Sequence, residues 1–294
     1  MKIGVFGKEI LNEESVDFVH FIIDMLRNRG VEVFVHERFV EVIKKGKLNK
    51  SKAEVFTEGD PVIPSLDCML SLGGDGTLLE TVTVIRDTGI PIVGINLGRL
   101  GFLASVSKND IYYAIDELIK GSFAIDKRSL LYLECDTPLF GELNFGLNDF
   151  VIHKNDTSSM ITIHTFINGE FLNSYWGDGL IISTPTGSTG YSLSCGGPIL
   201  FPQSGSFAVT PVSPHNLNVR PIIISDDSVL SFEIEGRSNS FLVSMDSRST
   251  SVNYDVQMAI RKAPFTVNLV KLNNSNYLKT LRSKIGRASC RARV

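Results

Sequence analysis

One carboxylate stands among three glycines in GGDGT, residues 73–77. The apolar run LDCMLSL precedes it and LLETVTVI follows, a pattern that predicts a strand, a tight turn and a helix. Glycines at such a junction let backbone N–H groups approach phosphate oxygens, and the start of a helix favours negative charge. An aspartate there repels phosphate, so its presence needs a chemical reason. It could accept a proton from a hydroxyl group or hold Mg²⁺. Asp75 is therefore the candidate catalytic residue, and a simple helix cap is the structural alternative.

A second stretch, GDGLIISTPTGSTGYSLSCGGPI at 177–199, is unusually rich in hydroxyl groups. Between Ser183 and Ser194 it carries five further serines and threonines, together with Tyr191 and two glycines. Neutral donors and close backbone approach suit phosphates and ribose hydroxyls. The structural alternative is a polar surface loop.

The elements that must position these residues change in kind along the chain. The first third alternates strand-like and helix-like runs, which predicts a doubly wound parallel sheet: KIGVFG, NEESVDFVHFIIDMLRNRG, VEVFVH, LDCMLSL, IPIVGINLG and DIYYAIDELIKG. From about Ala124 to about Val270, short β-rich runs separated by turn residues predict a β-sandwich. The run SNYLKTLRSKI then predicts a short helix that returns to the first domain.

The fold class is thus α/β plus all-β, in two domains. An α/β nucleotide-binding domain covers 1–123 and takes in the helix at about 276–286, and a β-sandwich dinucleotide-binding domain covers 124–275. Residues 287–294 bury too little apolar surface to order themselves, and we expect a disordered or non-native tail.

Composition excludes several classes of protein. With 294 residues and 43% hydrophobic content, the chain is long enough to bury large apolar cores. Its formal net charge of −3 gives no excess of basic residues of the kind that binds nucleic acid. No apolar run is long enough for a membrane span, and the N-terminus does not have the pattern of a signal peptide. The four cysteines are scattered without metal-ligand spacing, which favours reduced thiols in a cytoplasmic protein and no protein-borne metal site.

At this point the motifs as a set resemble the NAD kinases, most closely the bacterial ones. The resemblance runs from about Lys2 to Ile285 and rests on five segments: GGDGT (73–77), GINLGRLGFL (94–103), LND (147–149), the hydroxyl-rich stretch (177–199) and PVSPHNLNVRP (211–221). GGDGT alone is weak evidence, because lipid kinases and phosphofructokinases carry similar runs. The hydroxyl-rich stretch is highly specific.

The resemblance implies transfer of the γ-phosphoryl group of ATP to the 2′-hydroxyl of the adenosine ribose of NAD. It implies Asp75 as general base, Phe102 against the adenine, and Asp178 at the nicotinamide end. The other residues implied to bind NAD are Gly76, Asn148, Asp149, Thr189, Gly190, Tyr191, Ser192, Leu193, Ser194 and Ser213. It also implies Mg²⁺ arriving with ATP and a homodimer or homotetramer.

Three positions depart from the family pattern within the implied site. Asp149 stands where Glu is common, and Trp176 stands where many bacterial members have Arg. Arg248, in MDSRS, lies near a position where the family often has Gln. We predict that Arg248 supplies a substrate phosphate with the cation that Trp176 does not provide, and we count it among the binding residues.

Two other functions remain open on sequence alone. A lipid kinase would share GGDGT, but it would need an apolar or basic membrane-docking surface, for which the sequence gives no sign. A non-catalytic dinucleotide sensor would bind NAD without turnover, and the carboxylate of Asp75 argues against it.

Overall fold

The computed structural model describes residues 1–8, 13–44, 54–98, 101–155, 159–238, 240–273 and 276–290. The chain divides into two compact units. The first comprises Met1–Asp126 and Asn268–Val294, and the second is Lys127–Val267. One is an α/β unit and the other consists of largely antiparallel sheets, which confirms the predicted fold class.

The first unit is built on a parallel sheet with the strand order β5-β4-β1-β2-β3. Short 3₁₀ turns occur at Ile63–Ser65 and Lys108–Asp110. Its elements up to residue 120 are β1 (Lys2–Gly7), α1 (Glu13–Arg27), β2 (Glu32–His36), α2 (Glu37–Lys44), β3 (Glu54–Phe56), β4 (Cys68–Gly73), α3 (Asp75–Ile85), β5 (Ile92–Asn96) and α4 (Ile111–Lys120).

Apolar spacing explains how these elements pack. In α1 the buried residues Val16, Val19, Ile23 and Leu26 recur at three- and four-residue intervals, so they form one side of the helix. Strand β4 is buried along almost its whole length because it lies between two other strands and both its faces are covered. Its carboxyl end is therefore an interior position, the kind of place where open α/β sheets bind ligands.

The second unit contains two antiparallel sheets. One sheet has the order β13-β12-β11-β8-β15-β16, and in the other β10, β9, β14 and β17 follow one another, with β6 beside β17 and β7 beside β6. The elements are β6 (Ala124–Cys135), β7 (Phe145–Gly146), β8 (Asp149–Lys154), β9 (Ile161–Ile167), β10 (Glu170–Gly177), β11 (Gly179–Ser183), α5 (Tyr191–Ser194), β12 (Ser206–Val212), β13 (Ile222–Ser225), β14 (Leu230–Glu235), β15 (Ser240–Met245), β16 (Arg248–Asn253) and β17 (Met258–Lys271).

The two sheets of this unit share one apolar core. Phe150 of β8 and Phe232 of β14 stack with ring centroids 6.0 Å apart, so the inner faces meet directly. Alternating burial along β14 and β15 is the pattern of strands with one face on such a core. The β-sandwich is therefore confirmed as the architecture of this unit.

The chain returns to the first unit after residue 267. Near the end of β17, Leu269 pairs in parallel with Ile92 of β5, and Val270 and Leu272 are buried in the core of the first unit. Helix α6 follows at Tyr277–Cys290, four residues longer at its end than the predicted helix. Residues 291–294 of the predicted tail lie outside the described residues. Among those described, no helix is both long enough and apolar enough to cross a bilayer.

Candidate active site

Asp75 lies at the strand–helix junction that its sequence predicts. Strand β4 ends at Gly73, and α3 begins at Asp75 with Gly74 in the N-cap position. Asp75 is therefore not the cap of the helix. The side chain is half-buried and lies at the carboxyl end of an interior strand, where a bound phosphate or hydroxyl could reach it.

Three consecutive backbone N–H groups hold the carboxylate of Asp75. Phe102 donates to Oδ2 at 2.7 Å, and Leu103 and Ala104 both donate to Oδ1 at 2.9 Å. A carboxylate has about four acceptor positions. The three bonds fix its orientation and, as far as the described part of the chain goes, leave one acceptor position, on Oδ2, for a ligand.

Gly101 allows this loop to approach so closely. A Cβ atom built on Gly101 would overlap the carboxylate of Asp75. Gly76, on the other side of the aspartate, is exposed, and a Cβ there would meet nothing within 4 Å. Gly101 has no predicted role, because nothing in LGFL indicates a contact with residue 75.

In the second unit, the predicted residues Asn148 and Asp149 stand at the start of β8. Asp149 is 8% exposed. Asn148 is half-buried, and its Oδ1 has no hydrogen-bond partner among the described residues. Buried acceptors are normally satisfied, so this oxygen is a candidate for a ligand donor.

A carboxylate that sequence reasoning missed, Asp246, lies directly against these two residues. Desolvation, and to a smaller degree the Asp246 carboxylate, raise the pKa of Asp149 from 3.8 to about 7. Desolvation also raises the pKa of Asp246, although the backbone N–H groups of 147–149 and the guanidinium of Arg248 act in the opposite direction. Near neutral pH part of the Asp149 population is protonated, and that form donates a hydrogen bond as well as accepting one.

Most hydroxyl groups of the hydroxyl-rich stretch bond within the protein. Thr184 Oγ1 donates to the carbonyl of Leu147 at 2.6 Å, and Ser188 Oγ donates to that of Pro185 at 2.7 Å. Ser192, one of the predicted NAD-binding residues, is fully buried with its hydroxyl 2.9 Å from that of Thr210. The stretch is therefore not a polar surface loop, and most of its hydroxyls stabilise the backbone. Ligand contacts by Thr189, Ser192 and Ser194 stay a prediction.

The remaining predicted residues of this stretch reach the surface around a short helical turn. Thr189 and Leu193 are half-buried, and Gly190, Tyr191 and Ser194 are exposed. Desolvation raises the pKa of the Tyr191 hydroxyl, with smaller contributions from Cys195, Asp178 and Asp149. These electrostatic effects place Tyr191 near two of the predicted carboxylates.

Asp178 carries a partner that the sequence analysis did not name. The ammonium group of Lys154 lies 2.7 Å from Asp178 Oδ1, and both side chains are half-buried. A backbone hydrogen bond also joins the two residues, in which the N–H of Lys154 donates to the carbonyl of Asp178 at 2.9 Å. The two residues come together because β8 and β11 are antiparallel neighbours. The sequence does not show this pairing, so it could not predict the ion pair.

Ser213 and Trp176 both lie near Asp178 in the fold. The N–H of Asp178 donates to the carbonyl of Val212 at 3.0 Å, and this bond brings the next residue, the exposed Ser213, close to Asp178. Trp176 is 46% exposed, and its ring centroid is 4.3 Å from that of His215. Trp176 is therefore a surface residue beside the candidate site.

Arg248 has local partners in this structure. Its guanidinium donates to the carbonyls of Leu143 and Phe145 and lies over the rings of Phe140 and Phe145. These contacts use part of its five N–H donors. A contact with a substrate phosphate stays a prediction.

The predicted residues thus form one group in each unit. In the first unit Asp75, Gly76 and Phe102 lie together through the 101–104 loop. In the second unit the hydrogen bonds and electrostatic interactions connect LND, Asp178, Tyr191 and Ser213, while the Ser192 hydroxyl points into the protein. The residues that were missed act through contacts between distant parts of the chain: Gly101, Lys154 and Asp246.

Comparisons with known proteins identify both halves of the chain. Residues 3–123 match the ATP-NAD kinase N-terminal domain, and residues 147–272 match the ATP-NAD kinase C-terminal domain. The fold resembles that of yeast NADH kinase complexed with NADH, with a TM-score of 0.82 and 21% identity over 97% of this chain and 87% of the other. It also resembles an NAD kinase from Archaeoglobus fulgidus in complex with ATP, with a TM-score of 0.73 and 23% identity over 97% and 98% of the two chains.

Sequence relatives are considerably closer than these structures. The NAD kinase of Bacteroides fragilis is 41% identical over 97% of both chains. The NAD kinase of Cytophaga hutchinsonii is 50% identical over 93% of this chain and 94% of its own. With both domain models matched and identity of this extent, the chain belongs to the ATP-NAD kinase family.

Proposed function

We propose that this chain is an NAD kinase, which transfers the γ-phosphoryl group of ATP to the 2′-hydroxyl of the adenosine ribose of NAD and so makes NADP. The carboxylate of Asp75 carries the proposal. Three backbone N–H groups hold it at the carboxyl end of an interior strand, and among the described residues nothing else occupies the remaining acceptor position on Oδ2. Family membership supplies the identity of the two substrates.

In the proposed reaction, the ribose 2′-oxygen forms a bond to the γ-phosphorus while the bond between that phosphorus and the β–γ bridging oxygen breaks. ADP leaves with the bridging oxygen, and Asp75 accepts the proton that the 2′-hydroxyl loses. Phosphoryl transfer has a loose transition state, so positioning and charge stabilisation matter more than a strong base. A carboxylate of fixed orientation suits that requirement.

The other family residues would bind and orient NAD. Phe102, half-buried beside the Asp75 loop, would pack against the adenine. Asn148 Oδ1 would accept a hydrogen bond from NAD, and Asp149 would bond to a ribose hydroxyl or to the amide of NAD. Asp178 would lie at the nicotinamide end. The adenosine side would be lined by Gly76, Thr189, Gly190, Tyr191, Ser192, Leu193, Ser194 and Ser213.

We propose that Mg²⁺ arrives with ATP. Within the described ranges, no group of three or more His, Cys, Asp or Glu side chains could hold a metal ion. Magnesium at such sites takes one or two carboxylates and completes its shell with phosphates and water, so ATP phosphates fit this chain better than an all-protein cage. When bound, the ion neutralises phosphate charge, and the unused position on Asp75 stays available for the proton.

A coupled assay tests the function. The purified protein is incubated with NAD, Mg²⁺ and ATP, and an NADP-specific dehydrogenase detects NADP. We expect Asp75→Asn to lower kcat by roughly 10²–10⁴, the range of general-base catalysis. Asp87→Asn, an exposed carboxylate just beyond the same helix, is the matched control and should leave the rate unchanged.

The assay separates this function from its alternatives. If the unaltered protein binds NAD but makes no NADP with either ATP or inorganic polyphosphate, the proposal is overturned in favour of a dinucleotide sensor. Activity only with inorganic polyphosphate would overturn ATP as the donor and keep the transfer to NAD.

We further propose that the protein works in the cytoplasm as a homodimer or homotetramer, without nucleic-acid or membrane partners. The family resemblance supports the assembly, and the net charge of −3 argues against a polyanionic partner. Light scattering after size-exclusion chromatography measures the mass, and a monomer at assay concentration would contradict the assembly. Cell fractionation tests the location.

A further inference from the structure

Asp246 makes a set of hydrogen bonds that the proposed mechanism does not use. It lies in the turn between β15 and β16 with φ of +53°. Its Oδ2 accepts from the N–H of Leu147 at 2.8 Å, and its Oδ1 accepts from the N–H of Asn148 at 2.7 Å and of Asp149 at 3.2 Å. Its own N–H donates to the carbonyl of Asp149 at 2.9 Å. One residue therefore bonds to the whole LND segment.

The carbonyl side of the same segment is held by the hydroxyl-rich stretch. Thr184 Oγ1 donates to the carbonyl of Leu147 at 2.6 Å, and Thr184 N–H donates to that of Asn148 at 2.9 Å. A Cβ atom built on Gly187 would overlap the carbonyl oxygen of Asn148. The LND backbone is thus fixed from both sides by residues far away in the sequence.

The turn that carries Asp246 also holds the segment before LND. Arg248 donates to the carbonyls of Leu143 and Phe145, whereas Asp246 accepts from the N–H groups that follow. An anion therefore faces the amides and a cation faces the carbonyls. Burying a carboxylate costs stability, and an ordinary turn would not need a charged group at this position. The presence of Asp246 here therefore indicates that its carboxylate has a specific use.

We propose that Asp246 is a positioning residue that sets the LND backbone for binding of the dinucleotide. The inference rests on the proposed function, in which Asn148 and Asp149 bind NAD. Asp246 itself touches no substrate in this account. It acts by holding two adjacent residues whose side chains must both point at one ligand, and both oxygens of a carboxylate are needed to hold three N–H groups.

Calorimetric titration with NAD and, separately, with a non-hydrolysable ATP analogue tests the proposal. In Asp246→Asn the amide NH₂ replaces one acceptor, and we expect the Kd and KM for NAD to rise about tenfold to a hundredfold. The KM for ATP and kcat should stay close to those of the unaltered protein. Asp226→Asn is the control, since Asp226 is buried in the same unit and paired with Lys262 at 2.9 Å, away from LND.

A structural role alone would lower the melting temperature and leave the Kd for NAD of the folded protein unchanged, which would overturn the proposal. If Asp246→Asn does not fold, Thr184→Val decides, because it removes the opposite support while keeping side-chain size. We expect Thr184→Val to weaken NAD binding and Thr184→Ser, which keeps the hydroxyl, to restore it. NAD binding by Thr184→Val equal to that of the unaltered protein would then overturn the proposal.

The same measurements separate the two proposals. Weaker NAD binding in Asp246→Asn, together with no NADP from the unaltered protein, would support the positioning role and overturn the kinase function. Unchanged NAD binding in that variant, with NADP formed normally, would overturn the positioning role alone.

Discussion

The backbone N–H of Phe102 donates a 2.7 Å hydrogen bond to Oδ2 of Asp75. The residue proposed to contact the adenine and the proposed base therefore belong to one rigid arrangement. A shift of Phe102 on NAD binding would be transmitted to the carboxylate through a single bond. Under the proposed function, we therefore expect the orientation of the base and the occupation of the NAD site to be coupled through this loop.

The first prediction concerns Gly101. Its replacement by Ala puts a Cβ atom against the Asp75 carboxylate, which must then rotate or push the loop away. Because a displacement of about 1 Å can cost roughly 10²-fold in rate, we expect kcat of Gly101→Ala to fall by about that factor. Steady-state kinetics of NADP formation measure it.

Gly98→Ala is the matched control for this prediction. It lies in the same family motif, and a Cβ atom there meets nothing within 4 Å. Equal rates for the two variants would show that the approach of Gly101 to Asp75 does not matter.

The second prediction follows from the pKa of Asp149. The folded state holds this proton up to about pH 7, whereas the unfolded chain releases it near the usual value of 3.8. The free energy of unfolding therefore falls as pH rises from about 4 to about 7, by at most about 4 kcal/mol at 1.36 kcal/mol per unit. Asp149→Asn removes this decrease, so its stability relative to the unaltered protein should increase with pH across that range.

Urea denaturation at several pH values, with both proteins in the same buffers, measures this difference. The difference should be constant above about pH 7, where Asp149 is ionised in both the folded and the unfolded chain. A constant difference between pH 4 and 7 as well would contradict the raised pKa of Asp149.

The third prediction concerns the ion pair of Lys154 and Asp178. In Lys154→Met the half-buried carboxylate of Asp178 loses its 2.7 Å cation. Under the proposed function Asp178 lies at the nicotinamide end, and the pyridinium ring of NAD is positive whereas the ring of NADH is neutral. We expect the preference for NAD over NADH to increase about three- to tenfold, the size of one partly screened charge interaction.

The ratio of the Kd values for NADH and NAD measures this preference. Lys262→Met is the control, because it removes an ion pair with Asp226 at another place in the same unit. An unchanged ratio in Lys154→Met would mean that Asp178 does not sense the charge of the ring.

The sequence was most informative where local pattern and structure agree. The apolar run before Gly73 became the buried strand β4, and the spacing of Val16, Val19 and Ile23 became the buried side of α1. The fold class and the family followed from such runs and from the motifs. Helix α2 was not predicted, because it follows β2 without an intervening turn residue.

Contacts between distant residues could not be predicted. Asp246 and Asn148 are 98 positions apart, and nothing in MDSRS indicates that its aspartate accepts from the LND amides. Composition does not distinguish an internal hydrogen bond from one to a ligand, so the sequence does not show that the hydroxyl of Thr184 bonds to the carbonyl of Leu147. Gly101 belongs to a recognised motif, but the reason why a glycine is needed there depends on the position of Asp75 in the fold.

The return of the chain to the first unit has a consequence for biosynthesis. The first unit is completed by Leu269, Val270 and Leu272, which a ribosome makes only after all of Lys127–Val267. The second unit can therefore fold during translation as one uninterrupted segment. In the first unit Val106 already pairs with the end of β5, while Ile92 at its start waits for Leu269. A nascent chain at that stage has an incomplete strand edge at the start of β5, next to β4, and such unpaired edges favour aggregation until the last segment arrives.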